Sequence, residues 1–177
     1  MGAVDYLPNY TYEEYKLWEN EWELIDGIPY SMSPAPMIKH QSISNNIAWE
    51  LKESLGSCKF CKALLPVDWK ISENTIVQPD NSVICHEPKN EAYLSEAPEI
   101  IFEILSKSTA KKDLNLKYDL YEQEGVKFYI IVNPDDEVAK IYKLHDGKYI
   151  KVCDTHSEVV DLSTEKCSIK FNFSKIF

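Results

Sequence analysis

Apolar residues recur every four positions at Ile43, Ile47, Leu51 and Leu55, and Gly56 follows as a stop. That spacing predicts a long amphipathic helix over about 37–55. Upstream, Thr11 with Glu14 three residues on has the form of a capping box and predicts a short helix over about 12–20. Between the two, 22–32 reads as a pair of short strands around Asp26-Gly27, residue types that accept the positive φ of a tight hairpin turn. Val67, Trp69 and Ile71 alternate with polar residues, Ser72-Glu73-Asn74 turns the chain, and 75–85 returns as one strand that includes Pro79-Asp80. Pro98 then precedes the run Ile100-Ile101-Phe102-Glu103-Ile104-Leu105, a central strand covered on both faces. Helical spacing of Leu114, Tyr118 and Tyr121 predicts a helix over 109–124. A second central strand is expected over 126–132, and its hairpin partner over 138–144. Helix, hairpin, helix, three strands, helix, strand, strand is an α/β or α+β order, three layers around a mixed sheet. With no repeat, low-complexity tract or linker, residues 1–177 are expected to form a single domain.

Composition narrows the class. The chain has 177 residues, 44% of them hydrophobic and 27% charged, which excludes a disordered or collagen-like protein. No window approaches the roughly 18 consecutive apolar residues of a membrane span, and the N-terminus lacks the basic start and apolar run of a secretory signal. A cytoplasmic protein without membrane contact is the expectation. The net charge is −10, and all 19 basic residues are lysines. An acidic chain without arginine is at first sight a poor partner for nucleic acid. The charge is uneven, however: 105–118 carries Lys107, Lys111, Lys112 and Lys117 against Asp113, a local surplus of three.

Glu103 changes the picture most. An ionisable group inside the most hydrophobic strand costs several kcal/mol unless it is paired or binds a metal. Alternation puts it on one face with Ile101 and Leu105. Asp80 follows Pro79, which cannot donate to a strand ladder and so implies an edge or bulge that re-aims its neighbour. Two carboxylates from neighbouring strands form a hard-oxygen site suited to Mg²⁺. Lys117 lies on the helix after the Glu103 strand. Its i,i+4 relation to Asp113 fits a surface ion pair, but the helix must pack near that strand, where an ammonium would stand beside the metal.

Glu23-Leu24-Ile25-Asp26-Gly27, Met32-Ser33-Pro34, His40-Gln41, Gln78-Pro79-Asp80, Ala97-Pro98-Glu99, Glu103-Ile104-Leu105-Ser106, Asp113 with Lys117, and Tyr121 with Gly125-Val126 occur in this order. Together, from about residue 11 to 144, they resemble the Uma-type restriction endonucleases, a bacterial family of the PD-(D/E)XK nuclease superfamily. The resemblance implies a restriction-endonuclease-like core, with 145–177 as a C-terminal extension. It also implies a Mg²⁺-dependent phosphodiesterase site at which Mn²⁺ could substitute. Asp80 and Glu103 match the metal-binding acids. The superfamily's usual lysine two residues after the second acid would fall at position 105, which is Leu; Lys117 matches this family's variant on the following helix. Glu23, His40 and Asp113 match supporting polar positions, with His40 contacting phosphate or Glu23. The implied activity is endonucleolytic hydrolysis of DNA, and many such nucleases act as homodimers. A catalytically idle member that binds nucleic acid or protein is the alternative, which Leu105 and the lack of arginine keep open.

The cysteines raise a third reading. Cys58-Lys59-Phe60-Cys61, with Cys85-His86, has the elements of a zinc or redox module, although the second pair is distant in sequence. Five cysteines without a secretion signal predict reduced thiols.

Overall fold

The structure is a computed structural model describing residues 7–32, 36–107, 110 and 112–177; for Lys112 and Asp113 it describes the backbone. In chain order the elements are α1 (Tyr12–Tyr15), β1 (Trp22–Ile25), β2 (Ile28–Ser31), α2 (Ile38–Leu55), β3 (Lys62–Leu64), β4 (Trp69–Ser72), β5 (Thr75–Val77), β6 (Asn81–Ile84) and β7 (Ile100–Ile104). A π-helical turn (Lys112–Lys117) leads into α3 (Tyr118–Gln123). Then come β8 (Phe128–Asn133), β9 (Val138–His145), β10 (Lys148–Thr155), β11 (Val159–Asp161), β12 (Lys170–Asn172) and a closing 3₁₀ turn (Phe173–Lys175). Among the described residues no helix is long and apolar enough to cross a membrane.

The chain divides into two compact units. The first comprises 1–36, 67–78 and 88–96 and holds a four-stranded sheet in the order β2-β1-β5-β4. Its hairpin turns as expected at Asp26 (φ 50°) and Gly27 (φ 77°). Gly27 is needed there for space as well, since a Cβ would come within 2.8 Å of the Asn9 backbone. The Glu14 carboxylate accepts the Thr11 N–H at 2.9 Å, as a capping box requires. Yet α1 is four residues long, not the expected nine. The chain reverses at Asn20, whose φ of 66° is incompatible with helix, and carries Trp22 back against Trp18 at 5.7 Å.

The second unit, 37–66, 79–87 and 97–177, is built on a six-stranded sheet in the order β10-β9-β8-β7-β6-β3. Only β7 and β8 run parallel, joined by the crossover through α3; the other pairs are antiparallel, so the sheet is mixed as expected. Ile43, Ile47, Leu51 and Leu55 of α2 pack on one face with Ile100, Phe102 and Ile104 of β7 and with Phe171 and Phe173. Gly56 ends α2 at positive φ.

Two expectations fail here, for the strand over 75–85 and for the cysteines. The stretch 75–85 is not one strand but two, β5 and β6, which belong to different sheets. Pro79 lacks the N–H that would continue the ladder, and the chain changes sheets there. Residues 145–177 complete the second unit: β10 extends its main sheet, and Leu162, Ile169, Phe171, Phe173 and Ile176 lie in its core. Four of the five cysteines are not free thiols but form Cys58–Cys167 and Cys61–Cys85 disulfides. The second joins residues that continue the β3–β6 register, Lys62 opposite Ile84, by one step. The two halves of the C-x-x-C therefore pair elsewhere, and the zinc reading finds no support: among the described residues no group of three or more His, Cys, Asp or Glu is placed to hold a metal.

Candidate active site

Strand β7 is buried along its whole length. Its even positions feed the α2 side of the core, so pleating turns Glu103 to the opposite face. On that face α3 and the turn before it deliver two donors to one carboxylate oxygen. Lys117 Nζ donates to Glu103 Oε1 at 2.7 Å, and Tyr121 Oη donates to the same oxygen at 2.6 Å. Spacing of i,i+4 puts both side chains on one helical face. Lys117 is 2% exposed and Glu103 3%, and Tyr121 is fully buried against the ring of Tyr129, 5.1 Å away. Lys117 is thus not part of a surface lysine patch. The Asp113 side chain and Lys111 lie outside the described residues.

Asp80 stands just before β6. The β6–β7 register sets Asn81 opposite Phe102, so the next position places Asp80 opposite Glu103. Its Oδ2 accepts the Ile104 N–H at 2.7 Å, which ties it to the backbone next to Glu103. His40, in the first turn of α2, brings Nε2 to 3.4 Å from the same Oδ2. His40 also lines a cavity of about 380 Å³ with Lys39, Leu105, Ser106, Lys107 and Asn133. Leu105 therefore forms cavity wall, while the amine beside Glu103 comes from Lys117. Gln41 faces solvent.

Glu23 belongs to the other unit, where it is fully buried and its Oε1 accepts the Gln78 N–H at 2.8 Å. Gln78 Nε2 in turn donates to Asp68 Oδ1, which also accepts the Tyr15 hydroxyl. Burial, reinforced by Asp68, pushes the Tyr15 phenol well above its ordinary value. Glu23 thus restrains the residue immediately before Pro79-Asp80 in the chain.

Sequence reasoning assigned no role to Tyr121. The signal was its i,i+4 relation to Lys117, overlooked because a Tyr at helical spacing reads first as core packing.

Two carboxylates opposite one another across a ladder are hard oxygen donors, and Mg²⁺ is bound through one or two such groups while keeping several waters. Asp80 and Glu103 are donors of that type, and the cavity is bordered by His40, which contacts Asp80, and by Leu105 and Ser106, which follow the Glu103 strand.

Among solved structures, the chain resembles the crystal structure of a "putative nuclease belonging to DUF820" from Anabaena variabilis. The TM-score is 0.73 at 17% identity, over 94% of this chain and 97% of that one. At that identity the likeness shows a shared fold, a mixed central sheet with flanking helices of the restriction-endonuclease-like type. No curated protein matches. The family described as "Putative restriction endonuclease" (Uma2) matches residues 12–166, running from α1 through β11 and so covering both units. A match over most of the sequence identifies the family: this chain belongs to the Uma2 restriction endonucleases, a nuclease family.

Proposed function

We propose that the chain is a Mg²⁺-dependent endonuclease that hydrolyses DNA phosphodiester bonds at the Asp80–Glu103–Lys117 site. The observation that carries this reading is the buried Lys117–Glu103 pair next to a backbone-tethered Asp80. Replacing such a pair by well-packed apolar residues is often neutral or stabilising, so its presence in a central strand calls for a role other than stability.

Asp80 and Glu103 would hold the ion. Bound there, Mg²⁺ would acidify water and offset charge developing on the phosphate. The protein's own groups do the positioning. Lys117 and Tyr121 hold Glu103 Oε1 in place, and the Ile104 N–H holds Asp80. The Lys117 ammonium, fixed in a site nearly without solvent, favours negative charge at the reacting phosphate without having to reorganise. His40, Ser106 and Lys107 offer donors to phosphate oxygens from the cavity wall. Sequence specificity through arginine contacts to guanine is not available to a chain without arginine.

The test is supercoiled plasmid incubated with the protein and Mg²⁺ or Mn²⁺. Nicking or linearisation is expected, with a loss on the order of a hundredfold or more in Asp80→Ala and in Glu103→Gln. Cleavage unaffected by both substitutions would place the chemistry elsewhere. A wild-type protein that binds DNA but leaves it intact with either metal would make it a binding member of the family.

A further inference from the structure

The first unit carries a second cavity, about 450 Å³, lined by Tyr10, Trp18 and Trp22 with Leu17, Pro29 and Glu19. Its walls are set by the fold. Tyr10 is anchored by its N–H to the Gly27 carbonyl, and the Asn20 reversal brings Trp22 back toward Trp18. The rings stand edge to face, Tyr10–Trp18 at 5.1 Å and 88° and Trp18–Trp22 at 5.7 Å and 69°. They form differently inclined walls, not a single flat platform. The Trp22 indole N–H is already used on the Glu19 carbonyl at 2.9 Å, so it is not available to an acceptor ligand. Among the described residues the only charged side chain of the lining is the Glu19 carboxylate.

Three aromatic walls and one carboxylate attract a cation, and they repel phosphate. The surroundings agree. This unit contains eleven acidic residues and three lysines, a balance of −8 that accounts for most of the chain's −10. Elsewhere in the unit one of those lysines already sits on aromatic faces, Lys70 Nζ lying 4.4 Å from the Tyr12 ring centroid and 5.5 Å from that of Tyr93.

We infer that this cavity binds an arginine side chain presented by a partner polypeptide. A guanidinium stacks flat on indole and phenol rings while its edge pairs with a carboxylate, the combination that Trp18, Trp22, Tyr10 and Glu19 provide. The chain has no arginine, so the occupant is a different protein and not a second copy. This reading is independent of the nuclease site.

The test is titration of the full-length protein with acetyl-Gly-Arg-Gly-amide, followed by tryptophan fluorescence. The same peptide with citrulline, a neutral isostere, and with lysine serve as comparisons. Saturable quenching by the arginine peptide is expected, at least tenfold weaker with citrulline, and reduced several-fold by Glu19→Gln, which retains the backbone carbonyl that holds Trp22. Trp18→Ala should abolish it; circular dichroism and retained fluorescence of Trp22 check that the unit still folds. Equal affinity for the citrulline peptide would overturn the proposal in favour of a merely apolar pocket. Lysine binding as well as arginine would overturn the arginine assignment. No saturation at 20 mM peptide, or quenching by oligo(dT) that Glu19→Gln strengthens, would overturn it outright.

Discussion

The buried Lys117–Glu103 pair can be tested for its cost as well as its chemistry. Lys117→Met keeps the length and apolar stem of the side chain but removes the charge, leaving Glu103, 3% exposed, with the Tyr121 hydroxyl. Breaking a buried pair from one side costs about 3–5 kcal/mol, because an uncompensated charge stays inside. For a urea m-value of about 2 kcal/mol/M, that moves the unfolding midpoint down by roughly 1.5–2.5 M. Glu103→Leu instead takes its Glu103 acceptor from the Lys117 ammonium, with a penalty of the same size. The double variant removes both charges of the pair and takes from the Tyr121 hydroxyl its Glu103 acceptor, a cost of about 1–3 kcal/mol. Equilibrium urea denaturation of all four proteins should therefore give a double variant more stable than either single one, with a coupling of at least about 3 kcal/mol. None of the three variants should cleave plasmid, so stability would recover where activity does not. Strictly additive losses, or a Lys117→Met cost below about 0.5 kcal/mol, would show that the two groups are not held together in a low-dielectric site.

Tyr121→Phe should cost about 1.5–3 kcal/mol, the range for a hydrogen bond to a charged group, and should weaken Mn²⁺ binding by calorimetry while Lys117 still holds Glu103; unchanged affinity would leave Tyr121 a packing residue. Tyr149 is buried and donates to the Val126 carbonyl at 2.9 Å, and burial, with the nearby Glu122 charge second, pushes its phenol far up. A folded-state value above the unfolded one means stability is complete below about pH 10 and lost as pH rises beyond it, so tyrosinate absorbance should rise together with loss of circular dichroism, and Tyr149→Phe should delay both. Reducing the disulfides should lower the melting temperature by at least about 10 °C, since the loop closed by Cys58–Cys167, with a separation of 109 residues, alone is worth about 4–5 kcal/mol; no change on reduction would mean the thiols are unpaired in solution.

What the sequence made legible follows from how local each signal is. The Asp26-Gly27 hairpin, α2 and the buried β7 strand depend on a few adjacent residues and emerged close to their final limits. Glu103 stood out because a carboxylate in an apolar run has few explanations, and Lys117 because a crossover helix must return over that strand. Non-local outcomes were not readable. Pro79 marked a break, but not that the strands before and after it join different sheets. Cys58 and Cys61 looked like partners because they are near in sequence, whereas the fold offers each a distant partner. Strand β10 is mostly exposed, its apolar Ile150 and Val152 included, so its pattern was too weak to separate from a tail. The charge objection also changes form. The acidity lies largely in the first unit, while the second, with eighteen acidic residues and sixteen lysines, is close to neutral.

The Cys58–Cys167 bond closes residues 58–167 into a covalent ring that takes in segments of both units, and the turn leading to Lys117 lies inside it. A protease that cuts once between Cys58 and Cys167 opens the ring without releasing either product. On a non-reducing gel such a nicked molecule would still run as one chain, and only reductant would separate its two parts.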